Sequence, residues 1–94
     1  MPFANNVVKD FDRLSIESIN PNQIGVYGIY RDGRWIYVGR GDIRARMLDH
    51  LNGDILCIQR ERATKWVFEV TNNSEARERE LILEMEPACN QRAG

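Results

Sequence analysis

The sequence predicts an α+β fold with three strands and two main helices, in the order strand, strand, helix, strand, helix. Three observations carry this prediction: a hairpin pattern over residues 24–39, the alternating run KWVFEVT over 65–71, and apolar residues at helical spacing over 43–52 and 75–86. Ninety-four residues suffice for one modest core. Residues 1–94 are therefore expected to form a single domain.

The hairpin is predicted from two arms, IGVYGIY and WIYVG, which are rich in β-branched and aromatic residues. Asp32-Gly33 lies between them, and Asp-Gly between two such runs is among the strongest short-range hairpin signals. A two-residue turn here would place Tyr27 opposite Val38, which leaves Tyr27 and Tyr37 on opposite faces of the sheet. We expect a three-residue loop instead, with its glycine in the left-handed conformation.

A three-residue loop from Arg31 to Gly33 fixes which side chains share a face. Tyr27 would lie directly opposite Tyr37, so that one face carries both tyrosines. The glycines of the two arms would pair beside them as bare backbone, Gly25 opposite Gly39. The other face would offer three apolar side chains to a core: Val26, Ile36 and Val38.

The helix over residues 43–52 is predicted to begin after the N-cap Asp42 and to end at Gly53. Arg46 and His50 are four residues apart and share one edge of the apolar stripe, so we expect them to face a boundary or cleft rather than open water. The stripe itself has a four-residue spacing: Ile43, Met47 and Leu51.

The remaining segments give weaker signals. Residues 1–12 show no clear period, and Ser15 is expected to cap a short helix, SIESIN, that ends before Pro21. Residues 55–63 combine the apolar run ILCI with a polar connector and carry no assignment.

The helix over residues 75–86, which Pro87 ends, carries an acidic residue on its apolar side. Glu78 lies three, four and seven residues before the apolar residues of this helix: Leu81, Ile82 and Met85. A buried carboxylate is costly unless it is paired or binds a metal ion. Two explanations stay open: a metal site, or a bond from Glu78 to a neighbouring arginine or backbone amide.

Charge and cysteine content restrict the function classes. The net charge of −1 argues weakly against a dedicated nucleic-acid-binding protein, but residues 31–46 carry a local balance of +3 and residues 75–86 one of −3. Eleven of the thirteen basic residues are arginine, whose planar fork suits phosphate. Cys57 and Cys89 lack metal-site spacing and are expected to be two structural thiols in a reduced setting. The single histidine excludes a zinc finger.

Five elements in order resemble one known family. They are GVY (25–27), YVG (37–39), Arg46 with His50, Glu78 in E-x-x-L-I, and P-x-x-N ending at Asn90. This set is similar to the GIY-YIG nuclease domain, which occurs in an excision-repair nuclease, in homing endonucleases and in some restriction enzymes. The resemblance covers about residues 24–90 and leaves an N-terminal extension, residues 1–23, unexplained.

The resemblance implies a small α/β sandwich with a three-stranded antiparallel sheet, and hydrolysis of DNA phosphodiesters with one divalent metal ion, Mg²⁺ or Mn²⁺. By position, Glu78 would bind the metal ion, Tyr27 would be the candidate general base, and Tyr37 a second active-site hydroxyl. Arg46 would bind the scissile phosphate, and His50 would orient groups or relay protons. The remaining matched or nearby residues would support the site or contact the substrate: Arg40, Arg44 and Asn90.

The same resemblance sets expectations for partners. DNA is the expected substrate, and RNA is not excluded. A small domain with net charge −1 should bind weakly, so we expect a homodimer, a separate DNA-binding partner, or a structure-selective substrate such as a flap, branch or single strand. The absence of a long apolar run or leader predicts no membrane contact and a cytoplasmic location. The alternative function is a non-catalytic nucleic-acid-binding or protein-interaction module with the same fold.

Overall fold

The computed structural model describes Phe3 and residues 7–90. The elements in chain order are β1 (Lys9–Asp10), α1 (Arg13–Glu17), β2 (Ile24–Arg31), β3 (Arg34–Asp42), α2 (Ile43–Leu51), α3 (Leu56–Arg60), β4 (Lys65–Val70) and α4 (Ser74–Met85). The predicted α+β class is confirmed.

In the described residues the sheet has four strands, in the order β1-β4-β2-β3, rather than the three predicted. All three neighbouring pairs are antiparallel. The additional strand, β1, comes from the N-terminal extension and is held by Asp10, which accepts a 3.0 Å hydrogen bond from Trp66 Nε1 and forms an ion pair with Lys65. A two-residue strand leaves no periodic signal in the sequence, which is why it was not predicted.

The β2–β3 hairpin has a two-residue turn, so the predicted three-residue loop is wrong. Asp32 and Gly33 both have positive φ, 48° and 81°, as the favoured two-residue hairpin turn requires. A β-bulge then shifts the register between Ile29 and Tyr30, and the pairing of Gly25 with Gly39 is also wrong, since Gly41 faces Gly25.

The bulge has one consequence for the two tyrosines. Tyr27 pairs with Gly39, and Tyr37 pairs with Ile29, so the tyrosines are offset by two residue pairs rather than opposite. They nevertheless share a face, because the extra residue restores the period-two alternation that a plain two-residue turn would have broken. Ile36 also lies on this face, in the same cluster as Tyr27, and not with Val26 as predicted.

The sheet separates two apolar layers. On one face, α1, α2 and α3 cover a cluster that includes Ile16, Tyr27, Ile29, Ile36, Ile43, Met47, Ile58 and Trp66. On the other face, α4 covers a smaller cluster formed by Phe3, Val26, Val38, Val67 and Leu81. The side chains of β2 alternate between these clusters, as strand geometry requires.

The predicted α2 is confirmed. Asp42 caps it by accepting a 3.3 Å hydrogen bond from Ala45 N, and Gly53 follows its end with a φ of 90°. The short helix α1 is capped by Asp12, which accepts from Ser15 N at 2.8 Å, and not by Ser15. The unassigned stretch 55–63 contains α3.

Cys57 and Cys89 form a disulfide, so the prediction of two separate thiols is wrong. The bond ties α3 to a segment, residues 88–90, that runs along the outer edge of β3. Backbone N–H groups of this segment donate to Trp35 O at 3.1 Å and to Ile36 O at 2.7 Å. The side chain of Asn90 then bonds both Val38 N and Val38 O, at 2.7 and 2.8 Å. This pairing covers backbone groups at the edge of β3 that could otherwise pair with a strand of another chain.

No helix among the described residues is long and apolar enough to cross a bilayer. The cytoplasmic location stays a prediction.

Removal of the disulfide should destabilise the fold. For a sequence separation of 32, loop-closure entropy gives a loss of about 3–4 kcal/mol in the free energy of unfolding for the double variant Cys57→Ser, Cys89→Ser. Urea denaturation of the oxidised wild type and the variant measures this difference. Equal urea midpoints for the two proteins would contradict the pairing.

Candidate active site

A line of hydrogen bonds joins three side chains on the α2 face of the sheet. Tyr27 Oη lies 2.7 Å from His50 Nε2, and His50 Nδ1 lies 2.8 Å from Asp54 Oδ1. Tyr27 and His50 are 0% exposed, whereas the side chain of Asp54 is 34% exposed. The line therefore runs from the core to the surface.

The chemistry of Asp54 and His50 determines which atom donates and which accepts in each of these hydrogen bonds. An ionised Asp54 carboxylate can only accept, so His50 Nδ1 must carry a proton and donate it to Oδ1. In a neutral imidazole Nε2 is then the acceptor, and the Tyr27 hydroxyl donates to it. Every polar atom in the line is satisfied in this arrangement.

Burial keeps the two inner groups neutral. Desolvation, and then the nearby Tyr37, raise the pKa of Tyr27 far above its ordinary value, against the opposing charge and hydrogen bond of Arg46. Desolvation also lowers the pKa of His50, although Asp54 opposes the shift. At neutral pH the pair is thus a phenol and a neutral imidazole.

Two partly exposed side chains border this buried pair. The ring of Tyr37 lies 5.0 Å from that of His50 in an edge-on contact and 6.5 Å from that of Tyr27. Arg46, one helical turn before His50, forms an ion pair with Asp49 at 3.3 Å and has a side chain 39% exposed. Its pKa is raised: burial opposes the charge, but the interactions with Tyr27 and the nearby acidic groups outweigh it. Arg46 stays a cation.

Two glycines of β3 make room for the site. A Cβ at Gly39 would lie 2.3 Å from Tyr27 Oη, well inside contact distance, and one at Gly41 would lie 3.4 Å from Arg46 Cγ. Gly41 also has a φ of 126°, which other residues rarely adopt. The predicted bare backbone beside the tyrosines is present, but it comes from Gly39 and Gly41.

Glu78 lies in a separate group, on α4. Its carboxylate is 3.6 Å from Arg40 Nε, and that of Glu75 is 3.9 Å from Arg40 Nη2. The side chain of Glu78 is 18% exposed, and these residues border a surface pocket with Arg79. The structure therefore brings Tyr27, Tyr37, Arg46 and His50 together, and it places Glu78 and Arg40 beside each other. The pairing of Glu78 with a neighbouring arginine matches one of the two explanations left open above.

The donor set limits which metal ion could bind. Within Phe3 and residues 7–90, no group of three or more His, Cys, Asp or Glu side chains is arranged to hold a metal ion. A single carboxylate such as that of Glu78 is compatible with Mg²⁺, which keeps several waters and takes one or two protein oxygens. It is not compatible with zinc, which needs three or four protein ligands.

The two other predicted contact residues lie outside the hydrogen-bonded line. Arg44 is in the first turn of α2, beside Asp42 and Leu48, and its Nε is buried with no hydrogen-bond partner among the described residues. Asn90 holds the edge of β3 at Val38, next to Tyr37 in the chain. Its position supports the strand that carries Tyr37.

Asp54 was not predicted as a site residue. Its one sequence signal is the spacing of four residues from the only histidine, and this spacing extends beyond the predicted end of the helix.

Comparison of the chain with protein-family models, with curated proteins and with solved structures found no match.

We predict that His50 titrates below pH 6.5, its ordinary value. Because the folded pKa is lowered, His50 contributes stability that is fully present above the unfolded pKa and is lost as pH falls toward the folded pKa. Desolvation by burial is the main cause of the lowered pKa; among the charged groups nearby, Asp54 and Asp49 oppose the shift and Arg46 adds to it. NMR titration of the single imidazole measures the pKa directly, and urea midpoints measured below pH 6.5 should fall more steeply in the wild type than in His50→Gln. A pKa at or above 6.5 would contradict the burial argument.

Proposed function

We propose that the protein is a divalent-metal-dependent endonuclease that hydrolyses phosphodiester bonds of DNA, as the resemblance to the GIY-YIG nucleases implies. The observation that carries the proposal is the 2.7 Å contact between Tyr27 and His50 with the Arg46 cation alongside. This arrangement combines a proton acceptor with a group that stabilises phosphoryl charge.

Tyr27 acts as a proton carrier. Its raised pKa makes a free tyrosinate inaccessible at neutral pH, so Tyr27 alone is a poor base. The hydrogen bond to His50 removes this difficulty. As Tyr27 Oη takes a proton from the attacking water, its own proton passes to His50 Nε2, and the imidazole becomes the conjugate acid.

Arg46 and Tyr37 form the accessible part of the site. Arg46 keeps its charge and is partly exposed, so it can bind a non-bridging phosphate oxygen and stabilise the charge that develops there. Tyr37 places a hydroxyl at the same border. Because Tyr27 is buried, the attacking water approaches it from the side of Arg46 and Tyr37.

Glu78 would hold the divalent ion, and Arg40 beside it would contact a phosphate of the substrate. When bound, the ion would supply further stabilisation of charge on the phosphoryl oxygens. Arg40 would then exchange its contact with Glu78 for one with the phosphate. Arg44 would contact the substrate backbone, and Asn90 would support the site through β3. A second copy of the chain or a partner protein would strengthen binding.

A second candidate is a non-catalytic nucleic-acid-binding module. The observation that favours it is that Tyr27 and His50 are entirely buried while Glu78 is engaged by Arg40. In that case the buried line only stabilises the fold. Salt-dependent binding without cleavage, across several substrates and both metal ions, would select this candidate.

The test is cleavage of supercoiled plasmid and of branched or single-stranded oligonucleotides with Mg²⁺ or Mn²⁺. We expect wild type to cut, chelation by EDTA to stop it, and Glu78→Gln, Arg46→Ala and Tyr27→Phe each to lower the rate by about 10²-fold or more. Glu84→Gln is the matched control, because Glu84 is an exposed carboxylate on the same helix, and this variant should cut like wild type.

The variants that lose cleavage show which assignment holds. Cleavage that is equal in wild type and Glu78→Gln would contradict the metal assignment. Cleavage that is equal in wild type and Arg46→Ala would contradict the site itself.

A further inference from the structure

We infer that Asp54 is a positioning residue that fixes the tautomer of His50 and forms the solvent-facing end of a proton route from buried Tyr27. The inference about the tautomer stands on geometry alone. The inference about the proton route rests on the function proposed above.

The tautomer follows from the position of Asp54. Its Oδ1 lies 2.8 Å from His50 Nδ1, and a carboxylate at that distance requires a proton on Nδ1. Free imidazole has two neutral tautomers, and only the Nδ1–H form leaves Nε2 able to accept from Tyr27. Asp54 therefore determines whether the Tyr27 hydroxyl has an acceptor.

The chain reversal after α2 puts Asp54 in this position. Gly53 N donates to His50 O at 3.1 Å, and Asp54 N donates to Asp49 O at 3.2 Å. These bonds turn the backbone back over the last turn of α2, and the positive φ of Gly53 permits the turn at no steric cost. Asp54 thereby returns to the side of His50, although it lies outside the helix.

The difference in solvent exposure among the three side chains sets the direction of the proton route. Tyr27 and His50 are both inaccessible to solvent, whereas about a third of the Asp54 side chain is exposed. The other charged groups near His50 cannot take its proton as readily: Arg46 is a cation, and the carboxylate of Asp49 is paired with that cation. A proton that enters at Tyr27 therefore leaves through His50 Nδ1 and Asp54.

The transfer balances without any further reactant. As Tyr27 Oη takes a proton from the attacking water, its own proton moves to His50 Nε2, and the proton on Nδ1 moves to Asp54 Oδ1 and then to water. His50 returns to a neutral imidazole that carries its proton on Nε2. The backbone does not have to move. For the return, Tyr27 Oη gives a proton to the leaving oxygen and takes one from Nε2, while Nδ1 regains a proton from water through Asp54; this restores the starting state.

The ring nitrogens of the single histidine report the tautomer directly. In ¹⁵N-histidine-labelled full-length protein above the pKa of His50, we expect Nδ1 to be protonated and Nε2 to be unprotonated. Asp54→Ala removes the acceptor, so the Nε2–H form should become the major one. Asp54→Asn keeps an oxygen acceptor but loses the charge, so it should retain the Nδ1–H form while lowering the pKa of His50 further.

Asp32→Asn is the control for loss of one aspartate charge, because Asp32 lies at the exposed hairpin turn. It should leave the nitrogen shifts of His50 unchanged. Wild-type nitrogen shifts in Asp54→Ala would overturn the inference about the tautomer, whether or not the protein cleaves nucleic acid.

The cleavage assay tests the proton route. Asp54→Ala should lower kcat by about tenfold to a hundredfold at unchanged KM, on the scale of general acid–base catalysis, and the loss should vary with pH. Unchanged kcat in Asp54→Ala would overturn the route. If wild type does not cleave, the proposed function and the route fail together, and the nitrogen shifts still decide the role of Asp54 in positioning His50.

Discussion

The hydrogen bond between Tyr27 and His50 is the interaction around which the α2 layer is arranged. Two polar side chains without solvent contact are costly unless each finds a partner, and a buried group that loses its partner destabilises a protein by about 1–3 kcal/mol. Tyr27 contributes its ring to the main apolar cluster, and its hydroxyl needs His50. His50 in turn needs Asp54. The apolar packing and the polar line therefore constrain one another.

The backbone accommodates this line at three places. The bulge in the hairpin returns Tyr37 to the face of Tyr27, and Gly39 leaves space for the Tyr27 hydroxyl. Gly53 turns the chain after α2 so that Asp54 reaches His50. The bulge and the turn at Gly53 are local exceptions to regular strand and helix geometry, whereas Gly39 lies in regular pairing with Tyr27. The exceptions occur where polar side chains converge, as expected of a site that has to hold particular groups in place.

Much of the fold was predictable because long periodic segments leave clear signals. The boundaries of α2 and α4 follow from Asp42, Gly53 and Pro87, whose effects on a helix are local. The register of the hairpin was not predictable from its turn residues, since the bulge, where Ile36 is the extra residue opposite Ile29 and Tyr30, depends on packing on both faces of the sheet. The strand β1 and the disulfide also depend on contacts between segments far apart in the chain.

The candidate site likewise has a part that local sequence signals predict and a part that depends on contacts between distant segments. Arg46 and His50 could be placed together from their spacing on one helix, and the shared face of Tyr27 and Tyr37 was predicted, although from an incorrect register. The partner of Glu78 could not be chosen from the sequence, because Arg40 lies on a different element and meets Glu78 only after the sheet and α4 pack. Asp54 depends on the left-handed turn at Gly53, which periodicity does not detect.

The most direct test of the account is detection of the Tyr27 hydroxyl proton by NMR. A buried hydroxyl that donates to His50 exchanges slowly with water, so its resonance should be visible at neutral pH, show an Overhauser effect to the imidazole ring protons, and vanish in Tyr27→Phe. A fast-exchanging hydroxyl with no contact to the imidazole would contradict the account. It would mean that the buried line from Tyr27 to Asp54 does not exist in solution.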